Sequence, residues 1–216
     1  MQPEYDQVWF STARRDGSLS MSTITQLPPV HFDAVRRFTV EEYYRLVEAG
    51  ILEEDARVEL LDGQIIPMAP IGPEHHWILD ELNETFVAQL VAQPQRGRFK
   101  VGPGRSLPIR PHDVPEPDLV LYRTGIGRRK HLTAADVLLV IEIADSSLTR
   151  DLGYKADLYR RANVPQYWVV DVRHQCLRVF TLSGDRYETT VVREGRVSPQ
   201  ALPGVEIDVG ALLGGA

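Results

Sequence analysis

The sequence is nearly free of cysteine, since Cys176 is the only one in 216 residues. A single thiol excludes an intrachain disulfide and a cysteine-rich zinc site, and it fits a reducing compartment. No apolar run approaches the ~18 residues that a transmembrane helix needs. The first thirty residues also lack the apolar core of a secretion signal. We therefore expect a cytoplasmic protein with no membrane partner.

Acidic residues outnumber basic ones overall, but positive charge is concentrated in one segment. The formal net charge is -6, yet residues 96–130 contain nine Lys or Arg and only three Asp or Glu. Such an asymmetry favours the approach of an anionic partner, namely nucleic acid, to the basic segment. A solvated basic face without a partner explains the same pattern and stays open.

The spacing of apolar and turn-forming residues predicts an α/β protein. Residues 1–35 lack periodicity and predict a flexible tail, whereas residues 36–212 predict one domain, a mixed β-sheet core flanked by helices. Thr39 to Glu42 forms a capping box for a helix that ends before Gly50, and Asp62-Gly63 indicates a hairpin. The other predicted elements are helices over 74–93 and 151–162, strands over 98–102, 105–110, 118–122, 137–144 and 167–172, a hairpin over 176–192, and an extended piece over 202–209 before a frayed end.

One carboxylate, Glu142, interrupts the apolar and β-branched run Val137–Ala144. A run of this kind is typical of a strand that is covered on both faces. An ionised Glu inside such a strand is strongly unfavourable unless positive charge compensates it. A Lys on a nearby helix or a divalent cation would provide that charge.

Two further charged residues lie in contexts that need an explanation. In a helix over 151–162, helical spacing puts Lys155 on the apolar face with Leu152 and Tyr159. Asp118 follows Pro117 and opens a second apolar strand. Two carboxylates on neighbouring strands with one Lys suit phosphodiester hydrolysis, because carboxylate oxygens bind Mg²⁺ or Mn²⁺. The Lys would orient the attacking water or stabilise charge in the transition state.

This order of residues resembles the PD-(D/E)XK nuclease superfamily, with Pro117-Asp118 at the PD position and Glu142 at the following acidic position. More closely, the chain resembles a large bacterial family of poorly characterised, restriction-endonuclease-like proteins. The resemblance covers residues 36–210 and departs at Ala144, where the superfamily normally has its Lys. The segments that carry it are Val58–Ile65, Pro117–Leu119, Val140–Ile143, Asp151–Lys155 and Val164–Asp171.

The resemblance implies a restriction-endonuclease-like fold and an endonuclease that hydrolyses DNA with Mg²⁺ or Mn²⁺. Asp118, Glu142 and the backbone carbonyl of Ile143 would bind the metal. Lys155 would replace the missing Lys from the following helix, and Glu59 would approach the metal from the other side of the sheet. Structural alternatives stay open: Asp118 as a turn cap, Glu142 and Lys155 as a buried ion pair, and Glu59 as a solvent-facing side chain.

Several roles and a competing function also stay open. His75 or His76 would contact a phosphate or assist proton transfer, unless it is a helix-terminal His without a role. Asp151 is expected to cap the Lys155 helix, and Asp171 to stabilise a turn. Because Ala144 departs from the superfamily pattern, the competing function is a catalytically inactive nuclease-fold module that binds nucleic acid or a protein. Restriction-type enzymes often act as dimers, so we expect a homodimer by analogy.

Overall fold

The computed structural model describes residues 8–13, 19–24, 35–53, 55–93, 97–128 and 130–214. The chain divides into two compact units, residues 1–36 and residues 37–216. In the first unit, strand β1 (Val8–Ala13) pairs antiparallel with strand β2 (Leu19–Ile24). Most of the tail predicted over 1–35 lies outside the described residues. The division into a flexible tail and one domain over 36–212 therefore stays a prediction.

The second unit begins with a helix and a hairpin, both as predicted. Helix α1 (Val40–Glu48) follows the capping box, in which the side chains of Thr39 and Glu42 each accept a hydrogen bond from the backbone N–H of the other residue. Strand β3 (Val58–Leu61) pairs with strand β4 (Gln64–Pro67) around Asp62-Gly63. The long helix α2 (Pro73–Ala92) comes next. It buries the stripe that helical periodicity predicts, Ile78, Leu82, Phe86 and Leu90.

Six strands form the central sheet of this unit. They are β5 (Phe99–Pro103), β6 (Leu119–Arg123), β7 (Val137–Ala144), β8 (Gln166–Asp171), β9 (Cys176–Ser183) and β10 (Arg186–Val192). Their order across the sheet is β10-β9-β8-β7-β6-β5, with β7 parallel to β8 and every other pair antiparallel. The architecture is therefore the predicted mixed sheet.

Helices cover both faces of the sheet. The connection from β7 to its parallel neighbour β8 is a helical crossover, as parallel pairing requires. It consists of α3 (Leu148–Arg150), a π-helical turn (Asp151–Lys155) and α4 (Ala156–Arg161). Tyr159 of α4 packs on the face that carries Val140 and Val169, whereas Phe86 of α2 packs on the opposite face with Ile141. Every residue of β7 is buried, which confirms the expectation for this strand.

Two segments differ from the predictions. Residues 105–110 form no strand, because Pro108 lacks an N–H to donate to a ladder; this segment makes only a bridge from Ile109 to Asp113. The prediction of a frayed segment after the extended piece is wrong for residues 209–214: strand β11 (Arg196–Val197) pairs with β12 (Ile207–Asp208), and helix α5 (Val209–Gly214) follows. Burial of Leu212 and Leu213 in the α2 side of the core stabilises this short helix. None of the described helices has the length and apolar character needed to cross a membrane.

Candidate active site

A buried ammonium group joins three carboxylates from three parts of the fold. The Nζ atom of Lys155 lies 2.7 Å from Oε1 of Glu59 and 2.8 Å from Oε1 of Glu142. It also lies 3.9 Å from Oδ1 of Asp151, one turn earlier in the same helical segment. Lys155 is 3 % exposed, Glu59 1 % and Glu142 4 %. The side chains predicted on separate elements therefore meet in the protein interior.

Strand alternation places Glu142 under the crossover helix. Val140 and Ala144 of β7 belong to the core on that face, so the intervening Glu142 points the same way. The hydroxyl of Tyr159 on α4 donates to Glu142 Oε1 at 3.1 Å, beside the Lys155 bond. No described residue donates to Oε2 of Glu142, which leaves this oxygen for a ligand in the adjoining cleft.

Glu59 reaches the lysine from the β3–β4 hairpin. An isolated bridge between Leu60 and Val114 ties this hairpin to the segment that precedes β6. The N–H of Glu116 donates to Glu59 Oε1 at 2.8 Å, which fixes the carboxylate. The solvent-facing alternative for Glu59 is therefore wrong, since this side chain is buried and paired.

Asp118 lies beside Glu142 at the start of β6. Leu119 pairs with Ile141, so the antiparallel register brings Asp118 opposite Glu142. Oδ2 of Asp118 accepts the Ile143 N–H at 2.7 Å, and Oδ1 lies 3.1 Å from Nε2 of His75. In a strand, the N–H and C=O of one residue point to the same side. The Ile143 carbonyl therefore points towards Asp118.

Glu59, Asp118, Glu142 and Lys155 line one small cleft between the start of α2, the β3–β4 hairpin and the crossover helix. It measures about 60 Å³, which is room for only a few water molecules. Its positively charged walls include Arg57 and Arg150. Nε of Arg150 is buried and has no hydrogen-bond partner among the described residues. The space suits a hydrated ion or one phosphate group rather than a nucleotide base.

The cluster around Lys155 contains one ammonium group and three carboxylates, those of Glu59, Glu142 and Asp151. Burial, reinforced by the neighbouring acids and only partly opposed by Lys155, raises the pKa of Glu142 well above its ordinary value. Burial likewise raises the pKa of Asp151. For Lys155, burial acts to lower the pKa, but the carboxylates of Glu142, Glu59 and Asp151 outweigh it and raise the pKa. Lys155 is therefore charged at neutral pH, and Glu142 and Asp151 hold a proton more readily than acids in water.

Four residues of the candidate active site were not predicted from the sequence or were predicted to have another role. His75, rather than His76, contacts Asp118, and Tyr159 contacts Glu142. Asp151 is not a helix cap, because the helical segment begins three residues earlier and Asp151 is buried near Lys155. No pattern in the sequence indicated Arg150 as a residue of the site.

A divalent cation fits the oxygen atoms of this cleft. Across the described part of the chain, no three His, Cys, Asp or Glu side chains converge as a metal site. Mg²⁺ does not require three, because it usually binds one or two carboxylates and keeps several waters. Asp118, Glu142 and the Ile143 carbonyl offer such oxygens. Four acids line the cleft, Glu59, Asp118, Glu142 and Asp145, against the three cations Lys155, Arg57 and Arg150. The donors therefore match a hard cation in chemistry.

Comparisons with known proteins agree with this architecture. A solved structure described as a putative nuclease belonging to DUF820 from Anabaena variabilis ATCC 29413 aligns with a TM-score of 0.67 at 18 % identity. The alignment covers 82 % of this chain and 98 % of that chain, which shows a shared fold. A search of curated proteins finds no match. The model of the Uma2 family, described as "Putative restriction endonuclease", matches residues 40–210, and the chain therefore belongs to this family.

Proposed function

We propose that this protein is an endonuclease that hydrolyses phosphodiester bonds in DNA with the help of Mg²⁺ or Mn²⁺. The observation that carries the proposal is the contact of Lys155 with Glu142 at 2.8 Å, in the cleft that Asp118 also lines. Membership of the Uma2 family, with its description "Putative restriction endonuclease", supports the reaction class. The substrate and the metal are inferred from the charges and donor atoms of the cleft.

Asp118, Glu142 and the backbone carbonyl of Ile143 would hold the cation. When bound, such a cation lowers the pKa of water and neutralises charge on the phosphate. A hydrogen bond from the Ile143 N–H and the 3.1 Å contact with Nε2 of His75 orient the Asp118 carboxylate for this role. His75 is therefore a positioning residue in this proposal.

Lys155 would act as a hydrogen-bond donor rather than as a base. The carboxylates around it raise its pKa, so it stays protonated at neutral pH and cannot accept a proton from water. A fixed ammonium beside the scissile phosphate would stabilise the negative charge that develops as water attacks phosphorus and the ester P–O bond breaks. Glu59 holds Lys155 in place, and Arg57 and Arg150 present further donors to a phosphate in the cleft.

The competing function, an inactive nuclease-fold module, was suggested by Ala144. The position of Lys155 weakens the argument from Ala144, because the Lys155 ammonium reaches the carboxylate of Glu142 from the crossover helix. A side chain two residues after Glu142 is therefore not needed to deliver positive charge to the site. The homodimer and the cytoplasmic location stay predictions.

The test is cleavage of closed circular plasmid, linear duplex and single-stranded RNA by the full chain with Mg²⁺, Mn²⁺ or EDTA. We expect metal-dependent nicking of DNA that Glu142→Gln and Asp118→Asn each abolish. Glu188→Gln, an exposed strand glutamate on β10, is the matched control and should cleave normally. DNA binding without cleavage under every metal condition would favour the inactive module. Hydrolysis of small phosphodiesters alone would point to another phosphate ester as the substrate.

A further inference from the structure

A second cleft, separate from the candidate active site, is lined by basic side chains. It measures about 510 Å³ and lies beside β5, the end of β6 and the glycine-containing loop that follows β6. We call it the basic cleft and define it by four cations, Lys100, Arg105, Arg128 and Lys130. No Asp or Glu is among its lining residues in the described part of the chain. The cleft is therefore a concave surface of one charge sign.

The four cations have no ion-pair partner among the described residues, in contrast to several other surface cations. None of the four has a carboxylate of a described residue within ion-pair distance, whereas several exposed arginines elsewhere do. Examples of such pairs are Arg37–Asp62, Arg161–Asp157, Arg173–Asp145 and Arg196–Glu206. Grouping like charges without counter-charges is unfavourable by itself and produces a focused positive potential. A polyanion would supply the missing negative charge.

The backbone and an aromatic ring hold Arg105 in place. Its guanidinium carbon lies 5.9 Å from the centre of the Tyr122 ring, within the range of a cation–π contact. Gly102 lies beneath the same side chain, and a Cβ there would come within 2.9 Å of Arg105 Cγ and Nε. A residue larger than glycine would displace Arg105. The arginine is thus pre-positioned at the cleft rather than extended freely into water.

The basic cleft and the candidate active site lie at opposite ends of β6. Asp118 and Tyr122 are on the same face by strand alternation, and four residues at ~3.3 Å each separate them by about 13 Å. One strand of duplex DNA advances ~3.4 Å per nucleotide along the helix axis, so this separation corresponds to about four nucleotides.

We propose that the basic cleft binds backbone phosphates of the DNA substrate about four nucleotides from the cleaved bond. The proposal rests on the proposed nuclease function and deepens it. Lys and Arg side chains that contact only phosphates bind without reading the base sequence. The cleft would therefore position the strand and supply affinity, while the acids and Lys155 perform the reaction.

The test measures binding of a fluorescent DNA duplex to the full chain in EDTA at several salt concentrations. The double variant Lys100→Ala/Arg105→Ala should bind at least about tenfold more weakly, and its log–log salt slope should shrink by about two, one for each lost phosphate contact. The control is Arg186→Ala/Arg193→Ala, which removes two exposed cations at the opposite edge of the sheet, on and after β10. This control should bind like the unmodified protein.

The outcomes separate this proposal from the nuclease proposal. If Lys100→Ala/Arg105→Ala leaves the DNA affinity and the salt slope unchanged, the proposal that the basic cleft binds DNA phosphates is overturned, even if the protein cleaves DNA. Inorganic phosphate that binds as tightly as the duplex would also overturn it, since the cleft would then be a small-anion site. A reduced salt slope without cleavage under any metal condition would support the cleft and overturn the nuclease. If both proposals are correct, the cleft variant should cleave saturating DNA at the normal rate, with an unchanged kcat, and its KM for DNA should be raised.

Discussion

Lys155 and Glu59 form a buried ion pair, with Nζ and Oε1 2.7 Å apart, although Glu59 belongs to a hairpin outside the six-stranded sheet. The pair ties the β3–β4 hairpin to the crossover helix above β7. Both side chains are almost inaccessible to water, so neither charge can be compensated by solvent if the other is lost. Lys155 consequently contributes to stability as well as to the proposed chemistry, and the two contributions need separate measurements.

Substitution Lys155→Met should destabilise the protein by about 3–5 kcal/mol at pH 7, because it leaves buried carboxylates without a counter-charge. The pKa of Glu142 and that of Asp151 are raised, so these acids take up protons readily as the pH falls. Protonation removes the uncompensated charge, and the deficit should shrink between pH 7 and pH 5. Urea unfolding at both pH values measures this. Lys100→Met, at an exposed site on β5, is the control; equal stability of Lys155→Met and unmodified protein at pH 7 would contradict the prediction.

Calorimetric titration with Mn²⁺ and Mg²⁺ should detect a site that depends on Asp118 and Glu142. Asp118→Asn and Glu142→Gln should each abolish binding, because each removes a charged oxygen ligand. Glu59→Gln should retain binding, since Glu59 pairs with Lys155 and is not a proposed ligand. Glu188→Gln serves as the surface control. Metal binding that survives both Asp118→Asn and Glu142→Gln would show that the cation binds elsewhere.

Local patterns predicted most elements that position the site. The capping box at Thr39, the Asp62-Gly63 hairpin and the apolar stripe of α2 depend on neighbours within a few residues, and all three are confirmed. The apolar run around Glu142 likewise predicted a strand covered on both faces. By contrast, α5 forms because Leu212 and Leu213 pack against a distant core, which local sequence does not encode.

The candidate site was less predictable because its contacts are long-range. Glu142 and Lys155 could be identified as candidate site residues because each is a charged residue among apolar neighbours in the sequence, and the two form an ion pair in the structure. The choice between His75 and His76 depends on which face of α2 meets Asp118, and adjacent residues differ by about 100° around a helix. The π-helical turn at Asp151–Lys155 has no known sequence signal here, yet it buries both of its terminal residues.

Substitution Asp171→Asn should destabilise the protein by about 2 kcal/mol at neutral pH, through loss of charged hydrogen bonds. The buried Asp171 carboxylate accepts from Arg178 at 2.9 Å and from the His174 backbone at 3.2 Å, so the predicted turn acid also joins β8 to β9. Burial acts to raise its pKa, but these partners outweigh it and lower the pKa. A lowered pKa contributes stability above the unfolded value of ~3.9, and this stability is lost as the pH falls through the folded value.

Thermal unfolding of Asp171→Asn from pH 7 to pH 3 checks the sign. The gap to the unmodified protein should be largest at neutral pH and should narrow below about pH 4. The control is Asp157→Asn, whose exposed carboxylate pairs with Arg160 and Arg161 on α4. Surface pairs contribute at most about 1 kcal/mol, so this control should lose less. A gap that stays constant down to pH 3 would mean that the Asp171 charge does not stabilise the fold.

Two adjacent histidines on α2 allow a matched test of how Asp118 is positioned. Nε2 of His75 lies 3.1 Å from Asp118 Oδ1, whereas His76 is exposed. A carboxylate only accepts, so Nε2 of His75 is the group that can donate at this contact. Removal of that donor by His75→Leu should lower metal affinity or activity about 10–100-fold. His75→Gln keeps an N–H near the same point and should recover part of the loss, which a purely structural role for the ring would not explain. His76→Leu should leave metal affinity and cleavage unchanged, and equal losses at both positions would contradict a specific contact between His75 and Asp118.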